Sequence, residues 1–493
     1  MRKKSQIYPD YSAEIAVIKE GIIGNEGLPL DLLHRIIRKH RSNSLYNKKL
    51  YERYEALDNA VPIFSRRKKF EDESPENKIN NDFFGEIIDF KVGYFAGKPI
   101  SYYYSRTDEA EKVTGGEIAR ETAAKTLSDY ITRNNMFDVD MDITKYASIC
   151  GYAARLFYID TDGNERCMAV EPFKCIILSS TTIAEPEFAI RYYETRTIHD
   201  ESIYKAEFYD DKFIYYYEGT YNNLHFVGKA LHCFDYCPLQ GIENNKEMLG
   251  DAEKVLALID DYDKVLSDNS NEIEAFVHAY MVFDGIKIVD EEIKKARKNG
   301  AFVLPARGSN TSNQGLYWLT KDINDTFTEH QLERVEKNIY RFSKTPNLND
   351  ESFGSASGVS LKFKLTGLET KCGMFQAKMM TAGTFMFKLL STAWSKKKIT
   401  VEPLQCVMEF TRNFPLDVLS EAQAAQAAIG AGLPKEVAYS MCFSSLDDID
   451  YVMKLIDEEK QSVPSILDED EDDDDISNVN NNSTNDNNNS GDV

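Results

Sequence analysis

Apolar residues recur at helical spacing through the N-terminal part of the chain. Leu32, Leu33, Ile36 and Ile37 share one face, and Tyr46, Leu50, Tyr54 and Leu57 continue it. A Lys/Glu-rich stretch from Ser65 to Lys78 reads as a loop. Phe83, Phe84, Ile87, Ile88 and Val92 then predict a helix over Asn80–Tyr94, ending at Gly97-Lys98-Pro99, where Pro99 cannot continue it. Residues 140–240 change character. Ala154–Ile159, Phe173–Leu178, Phe188–Tyr193 and Phe213–Tyr217 are rich in Tyr, Phe and Ile, and turns such as Asp162-Gly163-Asn164 separate some of them, so this section reads as β-rich.

The helical period returns from Lys246 to Ser267, with Leu249, Ala252, Val255, Leu256, Ile259, Tyr262 and Leu266 in one stripe. A strand-like run follows at Phe276–Phe283, then a basic helical piece near Lys294–Lys298. A second helix is predicted from Asp325 to Phe342, and Thr345–Ser357, with Pro346, Asn347, Asn349 and Gly354, reads as a flexible loop. The strongest periodicity comes next. Leu361, Leu365, Leu368, Cys372, Phe375, Met379, Ala382, Met386, Leu389 and Ala393 alternate steps of four and three, an a/d seam. Phe363, Met380, Phe385, Phe387 and Leu390 flank that seam where a free coiled coil would carry charges, so this helix is expected to be enclosed by its own chain or by neighbouring copies. Gly367, Gly373 and Gly383 mark sites of bending or close packing. A short strand over Ile399–Phe410 and small helices at Ser420–Ile429, Lys435–Met441 and Leu446–Glu459 complete the folded part.

The chain is 493 residues long, 42% hydrophobic and 12% aromatic, enough for several domains. Its net charge of −23 is uneven. Ser462–Val493 holds ten acidic residues and no Lys or Arg, leaving −13 on the preceding 461 residues. The tail cannot bury enough apolar surface to fold. The remainder is too acidic for a tight, sequence-specific grip on DNA, while loose passage of DNA is compatible with it. Eight scattered cysteines and a polar Met1–Asp10 predict reduced thiols and no secretion leader. Met374–Trp394 is the most apolar stretch, but Lys378 and Lys388 interrupt it, so no membrane span is expected.

Candidate chemistry is sparse. Gly93-Tyr94-Phe95-Ala96-Gly97-Lys98-Pro99 approximates a phosphate loop but has one residue too few between its glycines and lacks the Ser/Thr that would hold Mg²⁺. A helix-ending turn is the better reading. His232, Cys233 and Cys237 lack a fourth zinc ligand and read as a buried thiol pair beside a histidine. Asp138, Asp140 and Asp142 read as a solvated edge in strand or loop. No catalytic residue, cofactor site or metal site is assigned. Lys337, Arg341 and Lys344 before the flexible loop, with Lys362, Lys364 and Lys371 after it, are candidates for weak phosphate contacts if the chain repeats around a ring.

Two segments carry a resemblance. Asn77-Lys78-Ile79 with Phe83, Ile88, Asp89, Gly93-Tyr94, Gly97-Lys98-Pro99-Ile100 and Tyr102 resembles the front motif of portal proteins from long-tailed phages of Gram-positive bacteria. Ser357-Gly358-Val359-Ser360-Leu361-Lys362-Phe363-Lys364-Leu365 with Leu368-Glu369 resembles their second motif, although Ser360 stands where many relatives have Ala. The resemblance implies an α+β portal fold: wing (1–245 and 358–413), a two-helix stem (246–270 and 323–344), an α/β clip (271–322), a tunnel loop (345–357), a long kinked helix after it, a small helical crown (414–461) and a disordered acidic tail (462–493). It further implies a non-enzymatic head-to-tail connector at one capsid vertex, a ring of about twelve copies that conducts double-stranded DNA without reading its sequence. Its implied partners are the terminase large subunit, the head-completion adaptor, and the major capsid and scaffolding proteins. Its implied places are the virion and, during assembly, the host cytoplasm. Pro346, Asn347, Asn349, Phe353 and Ser355 would face the DNA. The alternative from another class is a nucleic-acid-handling ATPase or nuclease of the packaging machinery. A scaffolding protein, shorter and less aromatic as a class, is a third reading.

Overall fold

The computed structural model describes residues 6–67, 76–196, 201–277, 280–284, 315–319, 325–348, 358–414, 418–443 and 452–456, with single positions 3, 198 and 458. Most of the predicted 271–322 module, the loop positions Asn349, Phe353 and Ser355, most of the predicted Leu446–Glu459 helix and the acidic tail lie outside the described residues. The chain divides into two compact units, Met1–Pro415 and Leu416–Val493.

The first unit opens with α1 (Ser12–Val17) and the 25-residue α2 (Leu30–Tyr54), followed by α3 (Phe83–Ala96), strand β1 (Ser101–Tyr104), α4 (Asp108–Thr114), α5 (Glu117–Arg133) and α6 (Met136–Cys150). A β-rich block follows: β2 (Tyr152–Ile159), β3 (Glu165–Val170), β4 (Cys175–Leu178), β5 (Phe188–Arg196), β6 (Ser202–Tyr209), β7 (Phe213–Thr220), β8 (Asn223–Leu231) and β9 (Leu239–Glu243). β4 to β8 form an antiparallel meander in sequence order, while β3, β2 and β9 make a separate three-stranded sheet. The predicted turn at Asp162-Gly163-Asn164 joins β2 to β3, and Asp160 Oδ1 accepts from the backbone N–H groups of Asp162 and Asn164. Tyr11, Ile15, Ile36 and Ile37 from the two N-terminal helices cover one face of the meander, against Ile190, Phe208, Tyr215 and Tyr217.

Beyond β9 come α7 (Leu256–Val277), β10 (Tyr280–Asp284) paired antiparallel with β11 (Gly315–Leu319), α8 (Asp325–Ser343), the 39-residue α9 (Gly358–Lys396) and β12 (Cys406–Glu409), which pairs antiparallel with β1. Two expectations shift here. The helix predicted from Lys246 begins only at Leu256, after a 3₁₀ turn. Leu249 and Ala252, whose spacing suggested helix, lie in a turned segment where Met248 has φ +50°. At its other end α7 runs on to Val277, into the run read as strand, so the strand is confined to Tyr280–Asp284.

The long helix matches its periodicity. Leu368, Cys372, Phe375, Met379, Ala382, Met386, Leu389 and Ala393 are all buried among α5, α6 and β2. Burying such side chains contributes roughly 1.5–3 kcal/mol each for the large ones. The flanking positions divide: Phe385, Phe387 and Leu390 are enclosed by the subunit, whereas Phe363, Met374 and Met380 are exposed. The helix runs unbroken through all three glycines. Gly383 serves close packing, since a Cβ there would fall 2.0 Å from Met408 Sδ on β12.

The second unit contains α10 (Val418–Gly430), α11 (Lys435–Cys442) and a short helical stretch at 452–456. Ala425 of α10 and Ala438 of α11 are buried. Gly432, at φ +95°, ends α10 by letting the Leu433 N–H reach the Ala428 carbonyl (3.1 Å).

Candidate functional site

Helices α7 and α8 are braced from within the chain. Ile259 of α7 and Val335, Ile339 and Tyr340 of α8 pack on Phe83, Phe84, Ile87 and Ile88 of α3. Phe83 meets Tyr262 edge-on at 5.0 Å and Tyr340 at 5.9 Å. The Tyr340 hydroxyl donates to Glu86 Oε2 (2.8 Å), and Arg53 of α2 pairs with Asp260 (2.5 Å).

The first resembling segment is a strap along α7. The backbone N–H groups of Asn77, Ile79 and Asn81, alternate residues of an extended stretch, donate to Asn271 Oδ1 (2.5 Å), Ser267 Oγ (3.0 Å) and Asp263 Oδ1 (2.8 Å). Those acceptors stand four residues apart on the helix, one per turn, so the strap satisfies its backbone donors on side chains instead of on a neighbouring strand. Sequence reasoning missed this ladder, although Asp263, Ser267 and Asn271 were visible as a polar stripe at helical spacing.

The phosphate-loop alternative fails on polarity. Gly93 and Tyr94 lie in the last turn of α3, and their carbonyls accept from the Asn413 side-chain amide (3.1 Å) and backbone N–H (2.9 Å). A helix C-terminus presents carbonyl oxygens and partial negative charge, the wrong sign for a phosphate. The turn reading therefore holds.

The two resembling segments meet in space. Tyr94 of the first donates its hydroxyl to Glu369 Oε2 of the second (3.0 Å), and Arg412 grips the same carboxylate through Nε (3.0 Å) and Nη2 (2.9 Å). Next to them Phe95 packs on Phe375 at 4.9 Å. Behind lies a charged node. Lys91 Nζ donates to Asn244 Oδ1 (2.6 Å) and Asp251 Oδ2 (2.8 Å), while Lys371 Nζ donates to Asp251 Oδ1 (2.9 Å) and the Ser343 carbonyl (2.9 Å). Burial pushes the Asp251 carboxyl upward, but Lys91 and Lys371 outweigh it and hold the group at about 2. Burial also lowers the Lys91 pKa, against the attraction of Asp251. Lys371 thus differs from the solvated or channel-lining residue the sequence suggested: its side chain is 12% exposed and fully engaged inside the subunit.

The remaining basic candidates lie outward. Lys337 is exposed and 3.5 Å from Glu333. Arg341 is exposed beside the Phe342 ring, Lys344 and Lys362 are exposed, and Lys364 is half-buried. Lys344 ends α8 at φ +60° and abuts α9, its Cβ lying 3.3 Å from where a Cβ on Gly367 would be. α8 and the start of α9 therefore run close together at this point. Of the loop candidates that are described, Pro346 is buried and Asn347 is half-buried, donating to Glu336 Oε1 (3.0 Å), so Pro346 packs inward in this conformation.

Two further candidates are corrected. Asp138, Asp140 and Asp142 stand on helix α6, and Asp140 is buried, receiving Arg155 Nη2 (2.8 Å) and the Tyr102 hydroxyl (2.6 Å). It neutralises a core arginine and forms no solvated edge. His232 is buried on the Asp210 carbonyl (3.1 Å) and Cys237 is buried, but Cys233 is exposed, so the buried thiol pair does not form. Among the described residues no group of His, Cys, Asp and Glu converges as a metal site, and no helix is long and apolar enough to cross a membrane.

The family described as phage portal protein, SPP1 Gp6-like, matches residues 33–464. A portal protein of Clostridium phage phiCD119 is 24% identical over 454 residues, covering 85% of this chain and 93% of its own length. The portal protein of Bacillus phage SPP1 is 25% identical over 344 residues, covering 64% of this chain and 62% of its own. With that match over most of its length, the chain belongs to the SPP1-type family of phage portal proteins.

Proposed function

We propose that this chain is the structural subunit of a portal ring of about twelve copies, set at one capsid vertex, through which double-stranded DNA is packaged and later ejected. In that ring α7 and α8 form the stem wall, the module between them is the clip that meets the terminase large subunit and afterwards the head-completion adaptor, and residues 345–357 form the tunnel loop. The 1–245 region with α9 is the wing, and α10 with α11 belongs to the crown. Wing and crown face the capsid interior and its major capsid and scaffolding proteins.

One observation carries the ring. Phe342, Phe363, Met374 and Met380 stand exposed on α8 and α9, the two elements that meet at the loop. Large apolar side chains left open on these two adjoining helices are the surface that head-to-tail closure would cover with the next copy. The mild acidity of the folded part suits a bore that must let DNA slide, and Lys337, Arg341, Lys344, Lys362 and Lys364 are the side chains proposed to make brief phosphate contacts. The motor or nuclease alternative finds no support in the site, because its one phosphate-loop candidate is a capped helix C-terminus.

Negative-stain microscopy of the purified protein tests this directly. Rings with a central hole wide enough for a duplex are expected, together with no ATP or DNA hydrolysis above background. Compact monomers at high concentration, or steady nucleotide turnover, would overturn the reading. Shortening the 345–357 loop should leave rings intact while blocking packaging or genome retention.

A further inference from the structure

We propose that Lys371 is a positioning residue, which through Asp251 and the Ser343 carbonyl fixes where the chain leaves α8 for the DNA-facing loop. The consequence for packaging rests on the portal reading above, whereas the structural half stands on its own.

The last turn of α8 has an unusual end. Lys344 takes a left-handed conformation, φ +60°, that lets the Thr345 N–H return to the Tyr340 carbonyl (3.2 Å). A residue with a Cβ adopts that conformation at a cost, so the turn needs support from outside the helix. Lys371 supplies it from α9. Its ammonium donates to the Ser343 carbonyl, one of the groups a helix terminus leaves without an internal partner, and places positive charge at the negative end of the helix dipole.

The ammonium is itself held from behind. Asp251 takes Lys371 on one oxygen and Lys91 on the other. Its backbone N–H is tied to the Ser148 carbonyl of α6 (2.7 Å), and Asn244, the second acceptor of Lys91, is tied by its own N–H to the Gly151 carbonyl (2.9 Å). The node carries two cations and one anion, and the excess positive charge faces the carbonyl end of α8. The exit point of the loop is thus referenced to α3, α6 and α9 together. Force on residues beyond Leu348 would pass into those elements, where otherwise it would unwind the last turn of α8.

The test uses the full-length protein with Lys371→Met, which keeps chain length and removes the charge, and Lys371→Arg, which keeps the charge. Amide hydrogen exchange should speed several-fold in peptides covering 341–348 in Lys371→Met and return toward wild type in Lys371→Arg, with β5–β7 unchanged in both. In a portal-deficient phage supplied with each variant, Lys371→Met should form rings yet package several-fold fewer genomes, and Lys371→Arg should restore most of the loss. Exchange that stays unchanged, or rises equally in the β5–β7 sheet, would show a merely structural lysine and overturn the proposal. Faster exchange with normal packaging would overturn it too. A wild-type chain that proves dispensable for packaging would instead sink the portal reading, with the exchange arm then deciding the anchor alone.

Discussion

Replacing Asp251 by Asn should destabilise the protein more than replacing Lys91 by Met, although both remove one charge from the same cluster. The Asp251 carboxyl is 4% exposed and held at about 2, against an ordinary value of 3.8. That depression alone is worth about 2 kcal/mol of stability at neutral pH. The sign is that of a carboxylate stabilised when charged: the contribution is present above about pH 4 and fades as the pH falls toward 2. Asn keeps the shape but leaves Lys91 and Lys371 buried with no anion, and breaking a buried pair in this way typically costs roughly 3–5 kcal/mol. Lys91→Met removes a cation that burial already disfavours, leaves a one-to-one pair between Asp251 and Lys371, and keeps an apolar stem near Phe375, whose ring lies 4.6 Å from Lys91 Nζ. Its cost is the lost bonds to a charged group, about 1–3 kcal/mol. The double variant should lie well short of the sum, because without Asp251 a second buried lysine is only a liability. Urea unfolding followed by tryptophan fluorescence, at fixed protein concentration, measures all three. A Lys91→Met midpoint below that of Asp251→Asn, or strict additivity, would refute charge balance as the source of the node's stability.

Two further predictions concern isolated positions. Lys344 occupies a left-handed conformation that glycine adopts freely, so Lys344→Gly should leave the unfolding midpoint unchanged or raise stability by up to about 1 kcal/mol, and a loss of stability would mean that the side chain itself holds the α8–α9 junction. His40 is buried between the hydroxyls of Tyr192 (2.9 Å) and Tyr152 (3.4 Å), and burial, only partly opposed by its bond to Asn43, lowers its pKa to about 3. The unfolded chain therefore takes up a proton near pH 6.5 that the folded chain refuses, and stability should decline from that pH downward by at most about 1.4 kcal/mol per unit. His40→Gln should flatten that slope between pH 6.5 and 4 in acid-unfolding series, whatever it does to stability at neutral pH, and an unchanged slope would refute the assignment.

The long helix was legible because nearly every residue of its seam is apolar and the period holds for about nine turns, so tertiary packing had nothing to override. Its flanking Phe385, Phe387 and Leu390 were rightly expected to be covered, but spacing alone does not distinguish them from Phe363 and Met380, which the subunit leaves open. α7 was misplaced by several residues because Leu249 and Ala252 fit the stripe by chance, whereas the turn there is closed locally by the Asn244 and Asn245 amides on the Leu249 carbonyl and pinned at long range by the Asn244 and Asp251 N–H groups on Gly151 and Ser148. Asp138, Asp140 and Asp142 were misread because alternate spacing suggests a strand, and only the distant Arg155 and Tyr102 reveal that Asp140 is a core residue. The basic candidates were found as a set, yet sequence could not tell Lys371, turned inward onto Asp251, from Lys362, turned outward. A lysine's role here depends on an aspartate 120 positions away in the chain.

The charged node also bears on why a portal protein buries Lys91 and nearly buries Lys371 around one carboxylate. α3 and α9 meet mainly through apolar side chains, Phe95 on Phe375 among them, and apolar ridges tolerate a shift of one turn, about 5.4 Å, at little loss of area. Such a slip would carry Lys371 away from Asp251 and the Ser343 carbonyl, stranding Asp251 in the interior, and would part Tyr94 from the half-exposed Glu369. Buried ion pairs add little net stability compared with apolar packing, but they penalise the wrong register severely. That asymmetry suits a subunit whose α3–α9 contact supports the α7–α8 pair. The helices can be packed by ordinary hydrophobic residues, while their alignment is set by Lys91, Asp251, Lys371, Tyr94, Glu369 and Arg412. The two short resembling segments, far apart in the chain, each supply one side of the same Tyr94–Glu369 contact.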